Sequence, residues 1–443
     1  MTEIPSARRR SFIGSIMFMF RDPLSRLVEI AHEHGDIAQF RVARERIILV
    51  NHPDMIREVL VTQDKNFTKG RGLERVKKFL GEGLLTSEGA LHRRQRRMIQ
   101  PAFHHRRIAA FADTMTSLAA RTASRLHDGA QLDIAEEMMR LTLAVVAKTL
   151  FSSDVEADAQ DIGTALTMMM EAFPLMMLPF ADFIAKLPLP AIRRMKAAHA
   201  KLDAIIFGLI NERRTSAKDH GDLLSMLLDA QDEEDAAFRM SDQQVRDEAM
   251  TIFLAGHETT ANALAWTWLL LSQHPDVEKK LHDELRTVLA GRLPTMADLP
   301  ALTFTEKVVT ESFRLYPPAW VVGRRAIADC EVCGYRVPAR SVVLASQWVM
   351  HRDARFFPDP ERFDPERWTP EFKAALPKYA YFPFAGGSRA CIGEGFAWME
   401  AILLPATIAR EWSFRLVPGH PVVPLPRVTL RPKDGLKMTA QRR

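Results

Sequence analysis

The stretch from Ser241 to Gln273 constrains this chain more than any other, because it reads as one helix with no interior breaker except Gly256. Ser241-Asp242-Gln243-Gln244 is a capping-box pattern, in which serine and glutamine side chains satisfy each other's free backbone amides. His274-Pro275 closes the run, since proline cannot continue the hydrogen-bond ladder. The rod is about 48 Å long at about 1.5 Å per residue, enough to cross a protein of this size. Midway along it stand Ala255-Gly256-His257-Glu258-Thr259-Thr260. An acid beside a hydroxyl residue in apolar surroundings is costly unless it is solvated or put to use. Glu258 and Thr259 are therefore candidate functional residues.

A chain of 443 residues is long enough for about three ordinary domains. No Gly/Ser-rich linker, low-complexity run or internal repeat marks a boundary. One large domain over 36–443 is expected, after an N-terminal segment of 1–35. That segment carries Arg8-Arg9-Arg10 and the apolar run Phe12 to Phe20, which is nine residues long. A membrane span needs about 20, so no anchor and a cytoplasmic location are expected.

Lys and Arg number 60 against 55 Asp and Glu, a mildly basic balance too diffuse for a nucleic-acid footprint. A local cluster lies at His92-Arg93-Arg94-Gln95-Arg96-Arg97 and again at His104-His105-Arg106-Arg107. Apolar periodicity through Met98, Ile99, Phe103, Ile108 and Phe111 predicts one basic-faced helical region there. It lacks interleaved exposed aromatics, which argues against nucleic acid.

The three cysteines cannot all pair, and their spread suits a reducing compartment. Cys330-Glu331-Val332-Cys333 has C-x-x-C spacing without a second pair or histidines, and it reads as strand and turn rather than a zinc site. Cys391 is different. It stands in Phe384-Ala385-Gly386-Gly387-Ser388-Arg389-Ala390-Cys391-Ile392-Gly393, ahead of an apolar helix. A metal-bound sulfur must be deprotonated, which takes nearby positive charge or amide donors. Gly386 and Gly387 are expected to adopt positive φ and turn peptide N–H groups toward the sulfur. Arg389 can meet a carboxylate with its bidentate fork, and Phe384 can shield the sulfur from water.

The F-x-x-G-x-R-x-C-x-G arrangement resembles the haem-ligand signature of the cytochrome P450 superfamily. Ala255 to Thr260 is similar to the family's A/G-G-x-D/E-T-T/S element. Glu311-Ser312-Phe313-Arg314, followed by Leu315-Tyr316-Pro317-Pro318, resembles its E-x-x-R helix and exit. Phe363-Asp364-Pro365-Glu366-Arg367-Trp368 matches F-x-P-E-R-F with Trp in the last place. The resemblance runs from Asp36 to about Met438 and implies the cytochrome P450 fold, mainly α with a small β-rich subdomain. The residue pattern agrees: a hairpin between 36 and 50, a helix from Asp54 to Leu60, mostly helix over 108–290, and strand-like pieces over 327–346 and after 413.

The resemblance further implies haem b with Cys391 as thiolate axial ligand and only metal-binding residue. Phe384, Gly387 and Gly393 would adjoin the cofactor, Gly393 by letting the next helix come close. His92, Arg96, Arg389 and Arg324 would meet the propionates, with Arg325 the alternative to Arg324 by strand register. Ala255 and Gly256 would face the haem where the long helix widens locally. Thr259 and Glu258 would be catalytic, handling oxygen and protons. Glu311, Arg314 and Arg367 would form a structural triad supporting the cysteine loop.

The activity so implied is a monooxygenase reaction that inserts one atom of dioxygen into an apolar substrate. Its electrons would come from a separate ferredoxin or flavodoxin, docking on the Arg93, Arg94 and Arg97 face. The implied pocket draws on Leu73, Val76, Phe79, Leu84 and Leu85, on Phe253, Leu254 and Ala255, on Ala319, Trp320, Val321 and Val322, and on Val428 and Thr429. Nearly all are apolar, and the Met168–Met170 and Phe173–Phe183 stretch would add pliable packing. A terpenoid, fatty acid, steroid or macrolide-like molecule fits such a lining. The rivals are a peroxide-driven haem-thiolate peroxygenase, which has no need of the acid–alcohol pair, and a non-catalytic haem sensor or carrier.

Overall fold

The alternating run between residues 36 and 50 folds as an antiparallel hairpin, Ile37–Val42 against Glu45–Val50, turning at Ala43 with φ 53°. It belongs to a computed structural model that describes residues 2–7, 21–152, 189–215, 221–232 and 239–443. The Met168–Met170 and Phe173–Phe183 stretch lies outside the described residues. Backbone contacts gather the chain into two units. One is Met1–Arg71, Lys307–Cys391 and Pro424–Leu430; the other is Gly72–Glu306, Ile392–Val423 and Arg431–Arg443.

The first unit is built on a five-stranded sheet in the order Ile37–Val42, Glu45–Val50, Val342–Ala345, Val322–Ala326, Phe67–Lys69. Glu45–Val50 runs parallel to Val342–Ala345, and the other pairings are antiparallel. β-Branched and aromatic residues favour such a pleated, buried surface. One core cluster gathers Ile48, Val50, Ile56, Phe67, Val337 and Val343; a second packs Leu27 and Ile30 of the Pro23–His34 helix with Ala38 and Leu49. Cys330–Val332 and Tyr335–Val337 form a separate two-stranded ribbon, with Cys333 in its turn at φ 47°. The Asp54 helix is Pro53–Arg57, continued as a π-helical turn over Glu58–Thr62.

The second unit is mainly helical, with a three-stranded sheet of Gln131–Asp133, Lys437–Arg442 and Trp412–Leu416. Its axis is the long helix, Asp242–Gln273, and both bonds of the Ser241–Gln244 capping box are formed. Every residue from Ala261 to Leu271 is buried, as a helix apolar all round requires. The basic region is not the single helix expected. It is Gly89–Ile99, a 3-10 turn over Gln100–Phe103, a short helix His105–Ala109, then Ala112–Ser124. Pro101 breaks it, having no amide to donate and a ring that crowds the preceding turn. The architecture is mainly α with small β elements, as expected. No helix among the described residues is long and apolar enough to cross a membrane.

Candidate active site

The cysteine loop closes on itself through a hydrogen bond from Cys391 N–H to the Phe384 carbonyl (3.0 Å), leaving Cys391 exposed. Its two glycines serve different ends. Gly387 has φ +71°, and a Cβ there would stand 1.9 Å from the Leu60 carbonyl oxygen. Gly386 does not take the positive φ expected of it. Its φ is −173°, which any residue adopts, and it is glycine because a Cβ would lie 2.6 Å from the Tyr379 ring. The left-handed partner of Gly387 is instead Ala385, at φ 59°. Phe384 stacks edge-on against Phe313 with ring centres 6.1 Å apart. Arg389 is held by a bond from Nη1 to the Phe67 carbonyl, 3.0 Å.

Within the same unit, Glu311 gathers its partners completely. Arg314 binds it through Nε to Oε2 and Nη2 to Oε1, each at 2.8 Å, and Arg367 Nε donates to Oε1 at 2.9 Å. Asp364 N–H adds a bond of 3.0 Å, and the Trp368 indole N–H another of 2.9 Å. The Trp that replaces the family's final Phe is thus a fifth hydrogen-bond donor, which the sequence reading missed. Arg314 Nη1 also bonds the carbonyls of His351 (2.8 Å) and Pro360 (2.6 Å), two points on the chain before the cysteine loop. Glu311 and Arg314 are both fully buried.

Strand register separates the two adjacent arginines. Arg324 stands opposite Val343 and is 5 % exposed, whereas Arg325, pointing to the other face, is half-buried. The 424–430 turn is tied to the exit of the E-x-x-R helix by Leu430 N–H to the Pro318 carbonyl (2.9 Å) and by Trp320 Nε1–H to the Arg427 carbonyl (3.0 Å). This brings Val428 and Thr429 near Ala319 and Trp320, although Trp320 packs on the Leu27–Leu49 cluster. Ala319, Val321 and Val322 are half-buried.

In the second unit, the turn around Ala255 stays α-helical, without the widening expected near Gly256. Gly256 has a packing reason of its own: a Cβ there would come within 3.1 Å of Val146 Cγ2. Thr142 of the neighbouring helix donates to the His257 carbonyl at 2.9 Å. Burial lowers the His257 pKa from 6.5 to about 4, against the opposing pull of its ring bond to the Phe253 carbonyl (2.9 Å). Glu258 is buried and Thr259 half-buried, while Ala255 is the exposed position on this turn. Thr259 Oγ1 donates to the Ala255 carbonyl at 2.7 Å, the usual back-bond of a helical threonine.

His92 and Arg96 share a face of the Gly89–Ile99 helix, His92 buried and Arg96 half-buried. The other face holds the basic cluster, and two of its members are engaged. Arg94 Nε and Arg97 Nη2 bind the buried carboxylate of Asp232 at 3.0 and 2.6 Å. Arg93 is exposed. Gly393 is the N-cap of the Glu394–Ile408 helix. Leu84, Phe253 and Leu254 lie in one apolar cluster, with Val76, Phe79 and Leu85 packed against it.

A family model, Cytochrome P450, matches residues 4–439. The chain is 41 % identical to cyclooctatin synthase of Streptomyces melanosporofaciens, over 94 % of this chain and 91 % of that protein. It is 35 % identical to pentalenene oxygenase of Streptomyces avermitilis, over 94 % of this chain and 92 % of the relative. Among solved structures it is similar to the crystal structure of cytochrome P450DA heme domain, with a TM-score of 0.89 and 25 % identity, over 100 % of this chain and 98 % of the other. The chain belongs to the cytochrome P450 family, oxidoreductases of the monooxygenase class that carry a haem.

Proposed function

We propose that this chain is a haem-thiolate monooxygenase of bulky apolar substrates, of terpenoid type, with Cys391 as the axial iron ligand. The observation that carries this reading is the exposed Cys391, ending a loop whose glycines leave no room for side chains. Arg389 and the buried Arg324 would supply cations for the propionates. When bound, the haem iron supplies the site where dioxygen is reduced and split.

The residues' own share is proton handling and exclusion of water. Glu258 would hold a proton near Thr259 Oγ1. That hydroxyl spends its own proton on the Ala255 carbonyl, so its lone pairs stay available as acceptors. Release from Ala255 would turn it into a donor, passing a proton onward. The terpenoid choice among the four substrate classes is supported by relatives named for cyclooctatin and pentalenene. Electrons would come from a ferredoxin or flavodoxin, with Arg93 the most available cation of its proposed docking face, since Arg94 and Arg97 are engaged with Asp232.

The test begins with the reduced, carbon monoxide-treated protein. A strongly red-shifted Soret band is expected from a thiolate ligand, and a histidine-like spectrum would remove the reading. Thr259→Ala should then spend electrons as peroxide rather than product. Arg93→Glu should slow reduction at low salt and leave substrate binding intact.

A further inference from the structure

Two turns before Ala255, the long helix carries charges for which the chemistry above has no use. Asp247 and Glu248 are 5 % and 0 % exposed. Each accepts a backbone amide from the segment 81–87: Glu82 N–H bonds Asp247 Oδ2 and Leu84 N–H bonds Glu248 Oε2, both at 2.8 Å. The segment is shaped to reach them. A Cβ on Gly81 would stand 2.1 Å from the Asp247 carboxylate, and one on Gly83 would stand 2.5 Å from the Asp247 carbonyl oxygen. Its other side is held by Gln95 Nε2 on the Glu82 carbonyl (2.5 Å) and by the Thr86 hydroxyl on the Gly81 carbonyl (2.6 Å). Arg246 completes the cluster, with Nη1 on Asp247 Oδ1 (3.0 Å) and Nε on Asp203 Oδ1 (2.7 Å) of the Pro190–Thr215 helix.

Burying two carboxylates to hold a loop is a poor route to stability, because desolvation offsets most of the gain. It is a good route to position. Leu84 packs in the same cluster as Phe253 and Leu254, the two residues before Ala255. Glu248, Thr251 and Ala255 fall at i, i+3 and i+7 on one helical face, about 10 Å from first to last. The bonds go to backbone amides, so they hold the backbone register of the segment directly, provided positions 81 and 83 stay glycine.

We propose that Asp247 and Glu248 are positioning residues that fix the Leu84–Leu85 wall and thereby select among bulky apolar substrates. The inference rests on the monooxygenase reading. Two iron-binding probes of different size test it through the Soret shift: imidazole, too small to need the wall, and clotrimazole, a bulky triaryl imidazole. In Glu248→Ala, clotrimazole should bind about tenfold more weakly while imidazole stays within about twofold. Amide hydrogen exchange over 81–87 should quicken by a similar factor. Glu248→Gln keeps an acceptor oxygen and should recover most of both. Asp247→Asn, which keeps the side-chain size, should lose about threefold for clotrimazole if the alanine variant does not hold haem. Faster exchange with unchanged clotrimazole affinity reduces the pair to loop stabilisers and overturns the proposal. Unchanged exchange overturns it as well. A wild-type protein that binds neither probe overturns the monooxygenase reading and this inference with it.

Discussion

Glu311 and Glu400 are both sealed from water, yet their surroundings are opposite. Glu311 accepts five hydrogen bonds, from Arg314, Arg367, Trp368 and the Asp364 amide. Glu400, on the Glu394–Ile408 helix of the other unit, has no hydrogen-bond partner for either oxygen among the described residues. Burial raises its pKa from 4.5 to about 8, and the nearby Thr260 hydroxyl opposes this without reaching bonding geometry. Burial alone therefore does not decide what a carboxyl group does inside this protein. Donors turn one into a joint between chain segments, and their lack pushes the other toward its neutral acid.

The strongest way to break this contrast is Glu311→Ala. Two guanidinium groups would lose their shared counter-charge, at a cost of about 3–5 kcal/mol, and no haem-loaded protein should accumulate. Normal yield with a normal reduced carbon monoxide band would dissolve the distinction. Glu400→Gln should act in the opposite sense. Its raised pKa lets the folded state keep a proton that the unfolded chain loses, so wild-type stability falls as pH rises from about 4.5 to about 8. The glutamine variant should lack that component, gaining on the order of 4 kcal/mol over wild type by pH 8 and less than about 1 kcal/mol at pH 5. Parallel stability curves for the two proteins from pH 5 to 8 would show that Glu400 finds a partner in solution. Trp368→Phe is the finest probe, removing one donor of five and restoring the family's residue. A loss of about 1 kcal/mol is expected, read as a shift of denaturant midpoint at unchanged slope.

Local patterns carried most of what the sequence could tell. The capping box at Ser241 and the hairpin at 37–50 depend on neighbours in the chain, and both are formed as expected. Pro101 was equally visible, but the apolar spacing across it looked continuous, and spacing does not register a missing amide. What escaped depends on partners far away in sequence. Gly386 is small because of Tyr379 and Gly256 because of Val146. Trp368 stands where the family motif has Phe, and only the fold shows its indole N–H bonded to Glu311. Asp247 and Glu248 had a signal, adjacent acids in a helix destined for burial, and the Gly81-x-Gly83 spacing was its counterpart.

The parallel pairing of Glu45–Val50 with Val342–Ala345 also bears on how the chain is made. The hairpin leaves the ribosome before its partner strand, which follows roughly 300 residues later, about 15–60 s at ordinary synthesis rates. Until then a row of unpaired amides and carbonyls, rich in Ile, Leu and Val, is open to any other strand. Nascent chains halted before residue 342 should therefore aggregate more readily than completed chains, as sedimentation of stalled and full-length products would show.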